Sequence, residues 1–243
     1  MRTKPLLAVA LLAIGCPSFA VAQGRLPGDW EQKVSAVVTE PERARKVADA
    51  GRHFDAKRQE SLDAMKAADK ELKTVFVSRE SSVATRQHSL NVFRDKRRKA
   101  ALAAADSLLA ARSLVSAREW KALWPEGYFG LAAPAPLLAL EVQKVLPSVV
   151  TDPARLEQAG AAAAKLAAAA KSDEAARKRA SGSLSRVFSS YESQRDDVID
   201  LVNDLEEKQL KVDDALIGAA SELQRVLTPE EWTALVARTS PAP

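Results

Sequence analysis

The sequence predicts an all-α protein made of two tandem long helical hairpins, forming a four-helix bundle or an extended pair, each followed by a short helix. Three observations carry that expectation. The chain repeats itself at a constant offset of 112 residues: VVTEP at 37–41 returns as VVTDP at 149–153, Val75-Phe76 as Val187-Phe188, and LVSAREWKAL at 114–123 as VLTPEEWTAL at 226–235. Such an internal period signals a duplicated structural unit. No Gly or Pro interrupts residues 52–124, and apolar or small residues recur from Val47 onward at three- and four-residue spacing through Phe54, Met65, Leu72 and Phe76, the period of an amphipathic helix. The second copy carries a heptad-like stripe through Leu184, Phe188, Tyr191, Val198, Val202, Leu205, Val212, Leu216, Ala219 and Leu223, interrupted by Arg195 and Gln209.

Residues 1–22 read as a secretory signal. Arg2 and Lys4 give a basic start, PLLAVALLAIG the apolar stretch, and Ala20-Val21-Ala22 an A-x-A cleavage site before Gln23. The segment Ala13-Ile14-Gly15-Cys16 loosely resembles a lipobox, but Ala13 at its first position and Pro17 after the cysteine make lipid anchoring through Cys16 the lesser alternative. Cleavage after Ala22 removes the single cysteine, so the mature chain is expected to have no disulfide or thiolate ligand. The expected compartment is a bacterial periplasm.

The first helical repeat is assigned to residues 23–124. Thr39 and Pro41 form a helix-start signal, with Thr151 and Pro153 as its counterpart in the second copy. One helix over 41–112 would be about 108 Å long at 1.5 Å per residue, which points instead to a hairpin. Its turn is expected at the serine-rich 78–82 (SRESS), matched by 189–193 (SSYES). Ser116 with Glu119, and Thr228 with Glu231, are capping boxes that open short helices carrying Trp120 and Trp232. Both tryptophans are expected in the core, as large apolar side chains tend to be.

A linker is assigned to residues 125–147. Its end echoes 31–34, which suggests a short leading helix for each unit. The second helical repeat takes 148–237 and a tail 238–243. Within it the alanine-rich run 159–170 has strong helix propensity and lets a neighbouring helix approach closely.

Charge is divided between the halves. The formal net charge is +4, but residues 41–124 hold 19 Lys/Arg against 11 Asp/Glu, whereas 153–236 hold 11 against 15. Oppositely charged copies attract, which suggests that one docks on the other; independent drift of solvated faces is the alternative. The densest basic cluster is Arg94, Lys96, Arg97, Arg98 and Lys99. Three readings of it stay open: contact with the acidic 196–207 of the second copy, contact with an anionic membrane surface, or a solvated helix face. It has only Phe93 as an aromatic neighbour, and export separates it from nucleic acid, so no nucleic-acid partner is expected. Trp124, Tyr128, Phe129, Leu137 and Leu138 lie in or beside the linker, lack strong counterparts at the offset, and are candidates for an apolar partner-contact patch.

The reactive inventory points away from an enzyme. His53 and His88 are the only histidines, and neither is repeated. In the expected hairpin they stand about 21 Å apart along the helices, too far to share a metal. Glycine-rich phosphate loops, HExxH helices, nucleophile elbows and the Glu-x-x-His pairs of di-iron bundles do not occur. No catalytic residue, cofactor or metal is therefore expected.

Leu227, Thr228, Pro229 and Glu230, with Glu231 in the place of Gln, resemble the LTxxQ motif of the Spy and CpxP group of periplasmic helical proteins; Val115, Ser116 and Glu119 keep part of it in the first copy. The resemblance spans about ten residues per copy. It implies a helical-hairpin protein that binds unfolded clients or regulates an envelope sensor, without a nucleotide cofactor. Members of the group commonly dimerise into a cradle, so a homodimer belongs among the implied assemblies, or a tandem duplication places both halves in one chain. The expected function is thus an exported, non-enzymatic interaction protein, chaperone-like or adaptor-like. The alternatives are a structural envelope component bound to a protein or an anionic membrane, and a helical-bundle metal-binding protein.

Overall fold

The computed structural model describes residues 28–124 and 138–239; for residues 138–140, 173, 177 and 178 it describes the backbone alone. Every regular element among the described residues is helical: α1 (Trp30–Val37), α2 (Pro41–Val77), α3 (Val83–Arg112), α4 (Ala117–Leu123), α5 (Leu138–Val145), a single 3-10 turn (Leu146–Ser148), α6 (Pro153–Ser189), α7 (Arg195–Val226) and α8 (Pro229–Thr239). Helix α5 begins inside the segment read as linker, and α8 runs two residues into the expected tail. None of these helices is long and apolar enough to cross a membrane.

Local chemistry sets the helix ends. Pro41 and Pro153 open α2 and α6, where a missing N–H costs nothing. The residue at the cap is the one after the expected threonine: Glu40 makes no side-chain cap, whereas Asp152 accepts from the Arg155 N–H at 2.8 Å. Ser82 caps α3 by accepting from Thr85 N–H at 3.1 Å. Both capping boxes form. Ser116 N–H donates to Glu119 Oε2 at 2.7 Å and Thr228 N–H to Glu231 Oε2 at 2.9 Å, each returned by a bond from the glutamate N–H to the hydroxyl. The long helices break at 78–82 and 190–194, the serine-rich segments, where Ser78 and Ser190 turn extended without any glycine.

α2 packs along α3, α6 along α7, and α3 along α7. The α3–α7 pair is antiparallel, because Arg86 near the start of α3 bonds Gln224 near the end of α7, whereas Arg98 further along bonds Asn203. Each 37-residue outer helix has one buried face. In α6 that face is Ala159, Ala162, Ala163, Leu166, Ala167 and Ala170, so the alanine run is packed along one side and exposed along the other.

Apolar packing is split into two clusters, and each draws on both hairpins. One joins Leu72, Phe76, Leu90 and Phe93 to Leu166, Leu216, Leu223 and Trp232. The other joins Trp30, Phe54, Leu108, Trp120 and Trp124 to Leu184, Phe188 and Val202. In α2 no residue of 55–64 belongs to either, and in α7 none of 206–211 does. A polar layer therefore crosses the middle of the helix assembly.

The two ends of the molecule are closed reciprocally. Trp232 of α8 donates its indole N–H to the Val77 carbonyl at 2.8 Å, and Trp120 of α4 donates to the Phe188 carbonyl at 3.2 Å. Arg79 donates to the Leu227 carbonyl at 3.1 Å, and Tyr191 to the Val115 carbonyl at 2.8 Å. Within each half the carboxylate of the box also binds the start of the first long helix, Arg43 to Glu119 and Arg155 to Glu231. In each case the tip of one hairpin, or the start of its first helix, is fastened by a terminal helix or the segment just before it, and the two sets of positions differ by 112 or 111 residues.

Candidate functional site

The polar layer is the most unusual chemistry of the fold. It is assembled from one face of α3 (Arg94, Arg97, Arg98) and the facing side of α7 (Asn203, Glu206, Gln209, Asp213). Arg97 stands at a core position of the α3 stripe, seven residues from Leu90 and from Ala104, and is 1% exposed. Its guanidinium forms a paired bond to Glu206, Nε to Oε1 at 2.9 Å and Nη2 to Oε2 at 2.8 Å, and lies 5.9 Å from the Phe93 ring centroid. Such two-pronged bonding suits the planar guanidinium and fixes its orientation.

Asp213, 2% exposed, receives Gln209 Nε2–H on Oδ1 at 3.1 Å, and its Oδ2 lies 2.8 Å from Arg94 Nε. That contact is out of line for hydrogen bonding, so it holds by charge. Burial pushes the Asp213 carboxyl above its ordinary value; Arg97, the Gln209 amide and Arg94 pull it back, and Glu206 adds to the rise. Two arginines and two carboxylates thus form a balanced set, the condition under which buried charge is tolerated. Arg98 Nη1 bonds Asn203 Oδ1 at 2.6 Å, and toward the end of α3 Arg195 of α7 grips Asp106 at 2.7 and 3.2 Å.

A second buried arginine closes one end. Arg86, 0% exposed, donates to Gln224 Oε1 at 2.8 Å and to the Ser78 carbonyl at 3.3 Å over the Phe76 ring. Burial pulls its guanidinium below its ordinary value.

The expected contact residues separate into three groups. Arg94 and Arg97 are a correction to the open basic face: they are spent inside the α3–α7 seam. Of the acidic 196–207, Glu206 meets Arg97 and Asn203 meets Arg98, while the partner of Arg94 is Asp213, beyond that stretch. Lys96 is partly exposed and makes no ion pair among the described residues; Lys99 is 74% exposed and pairs with Asp95 at 2.7 Å on its own helix. Trp124 is also corrected. It is 1% exposed, its ring centroid 4.2 Å from that of Trp120 and 5.0 Å from that of Trp30, and so belongs to the core and not to a surface patch. Tyr128, Phe129 and Leu137 lie outside the described residues, as does Cys16. Leu138 opens α5, and its side chain is not described.

Glu206 falls within the acidic stretch that the sequence offers as one partner of the basic cluster, whereas Asp213, as the partner of Arg94, and Gln209, as a buried donor, lie outside what the sequence reading reached. Their signal was the break that Gln209 makes in the α7 stripe, at the position equivalent to Arg97.

Clefts lie elsewhere. One of about 1240 Å³ runs between α1 and α2 and is lined by Asp29, Trp30, Gln32, Arg52 and Arg58 among others. Another of about 430 Å³ lies between α6 and α7 and is lined by Ala169, Ser172, Ala176, Arg179, Lys208 and Lys211 among others. Among the described residues no three His, Cys, Asp or Glu side chains cluster in a way that would hold a metal ion. His53 and His88 are both exposed. No family model matches the chain, and neither a curated protein nor a solved structure matches it.

Proposed function

We propose that the protein is an exported, non-enzymatic α-helical interaction protein, chaperone-like or adaptor-like, in which two related hairpins are fused in one chain. The observation that carries this reading is the ion-paired seam. The deeply buried carboxylate Asp213, whose environment would best suit acid–base chemistry, is engaged by arginines of α3 and lines neither of the clefts described above. Docking of the halves leaves the outer faces of α2 and α6, each about 55 Å long at 1.5 Å per residue, as the extended surfaces on which a partner or an unfolded client would lie.

Duplication is supported by the helix starts, since α2, α3 and α4 begin 112 residues before α6, α7 and α8, and by the equivalent pairs Arg43–Glu119 and Arg155–Glu231. The likeness of the Thr228 box to the Spy and CpxP motif agrees with an envelope role. The alternative of an anionic membrane surface would rest on Lys96 and Lys99, because Arg94 and Arg97 are engaged elsewhere.

Aggregation of several chemically unfolded clients, followed by light scattering with the chain beginning at Gln23, tests the chaperone version. Suppression at substoichiometric ratios supports it. Unchanged aggregation of all clients at equimolar protein eliminates it and leaves the adaptor version, which affinity capture from envelope extract would then address.

A further inference from the structure

The seam positions of α3 and α7 correspond at the offset of 112, and their chemistry is opposed. Arg94 corresponds to Glu206, Arg97 to Gln209, Arg98 to Leu210 and Ala101 to Asp213. At these four positions α3 offers three cations and no anion, whereas α7 offers two anions and no cation. From this we infer that the seam is a heterotypic docking surface: α3 fits α7, and neither helix fits a second copy of itself.

The geometry follows from carrying each observed contact across the offset. In an α3–α3 pairing between two copies, the Arg97–Glu206 contact becomes Arg97 against Arg94. In an α7–α7 pairing, the Arg94–Asp213 contact becomes Glu206 against Asp213. Both place like charges where Arg97 is 1% and Asp213 2% exposed, a setting in which an uncompensated charge is most costly. Unfavourable wrong pairs of this kind are how related surfaces achieve selectivity. The surface of α3 therefore accepts one type of helix, with carboxylates seven residues apart and an amide three residues after the first. Only the chain's own α7, or the α7 of a second copy that exchanges halves, supplies it. Addition of like face to like face is blocked.

Two sets of substitutions separate this pairing rule from a simple stabilising role. R94E/D213K keeps every intrachain pair opposite in charge, yet makes α3 and α7 each self-complementary. In the like-with-like pairings the carboxylate introduced at position 94 would face Arg97, and the ammonium introduced at position 213 would face Glu206. R94E/R97E/E206R/D213R reverses the whole layer and keeps like-with-like pairing repulsive. Each full-length mature chain is unfolded in urea, refolded over a range of protein concentrations, and its oligomer fraction measured by chromatography with light scattering. For R94E/D213K, the association constant is expected to rise on the order of tenfold over wild type, and the fully reversed chain should behave as wild type. An oligomer fraction for R94E/D213K no greater than that of wild type overturns the inference. So does a fully reversed chain that associates as strongly as R94E/D213K. Far-UV circular dichroism verifies folding, and R97E/E206R, self-complementary in the same way, takes the place of R94E/D213K if that chain does not refold.

Discussion

The indole of Trp232 donates its hydrogen to the carbonyl of Val77 at 2.8 Å, so a residue near the end of the chain caps a helix that ended 155 residues earlier. That carbonyl is one of the four a helix C-terminus leaves without an internal partner. Trp232→Phe keeps an aromatic ring and removes the donor, and is expected to cost about 1–3 kcal/mol. Trp120→Phe should act in the same direction through Phe188. Urea denaturation of each variant measures both losses.

Arg97 and Glu206 should show a marked asymmetry between single and double replacement. Arg97→Met leaves Glu206 facing a methyl group and is expected to destabilise by about 3–5 kcal/mol. R97M/E206L removes both charges and should recover most of the loss, since apolar pairs often equal buried ion pairs in stability. Chemical denaturation of the two single variants and the double closes the cycle.

Asp213 gives the fold a defined pH signature. Its folded-state pKa is raised by burial, against the pull of Arg97, Gln209 and Arg94, so the folded chain binds a proton more readily than the unfolded chain. Its contribution is most favourable below the unfolded value and is lost as pH rises through the folded value. The stability of wild type relative to Asp213→Asn should therefore improve as pH falls from about 7 toward the ordinary carboxylate range, and denaturation midpoints at a series of pH values test it.

Glu119 has the opposite sign. The Ser116 N–H bond, followed by the Ser116 hydroxyl and Arg43, lowers its pKa. The stabilisation is present above the unfolded value and fades as pH falls through the folded one. Glu119→Gln is expected to flatten the acid limb of the stability profile below about pH 5, measured by thermal melts across that range.

Gly51 is required by close approach. A Cβ there would lie 2.6 and 2.7 Å from Cε2 and Cζ2 of Trp30, whose Nε1 donates to the Ala48 carbonyl at 3.3 Å. Gly51→Ala should cost about 1–3 kcal/mol through overpacking and perturb the fluorescence of the adjoining Trp30, Trp124 and Trp120. Gly218→Ala, in α7 with no atom within 4 Å of the added carbon, should instead gain about 0.4–1 kcal/mol.

Helix starts and hairpin breaks were legible because their causes are local: a proline in the first turn, a hydroxyl three residues before a glutamate, serines between two periodic runs. The tryptophan pair of the terminal helices was also legible, from its recurrence. Trp124 was not, because the core it joins beside Trp120 is completed by Trp30, 94 residues earlier in the chain. The spacing of the arginine cluster is compatible with a solvated face as well as with a contact, so spacing alone does not decide between them. Only the position of Arg97 on the same stripe as Leu90 and Ala104, and of Gln209 on that of Val202 and Leu216, marks them as interior. The partner of Arg94, Asp213, lies six residues beyond the acidic stretch 196–207, since the acidic residues of α7 that face α3 are set by the crossing of two helices and not by the density of charge along one.

The reciprocal fastening of the two tips also sets an order of events during synthesis. Val77 leaves the ribosome 155 residues ahead of Trp232, an interval of about 8–30 s at 5–20 residues per second. Throughout that time the first hairpin lacks its cap, and for most of it, until Glu206 and Asp213 emerge, it also lacks the carboxylates that neutralise Arg97 and Arg94. The nascent first half is thus a cationic hairpin with a bare apolar stripe, and its tip is closed only when α8 arrives.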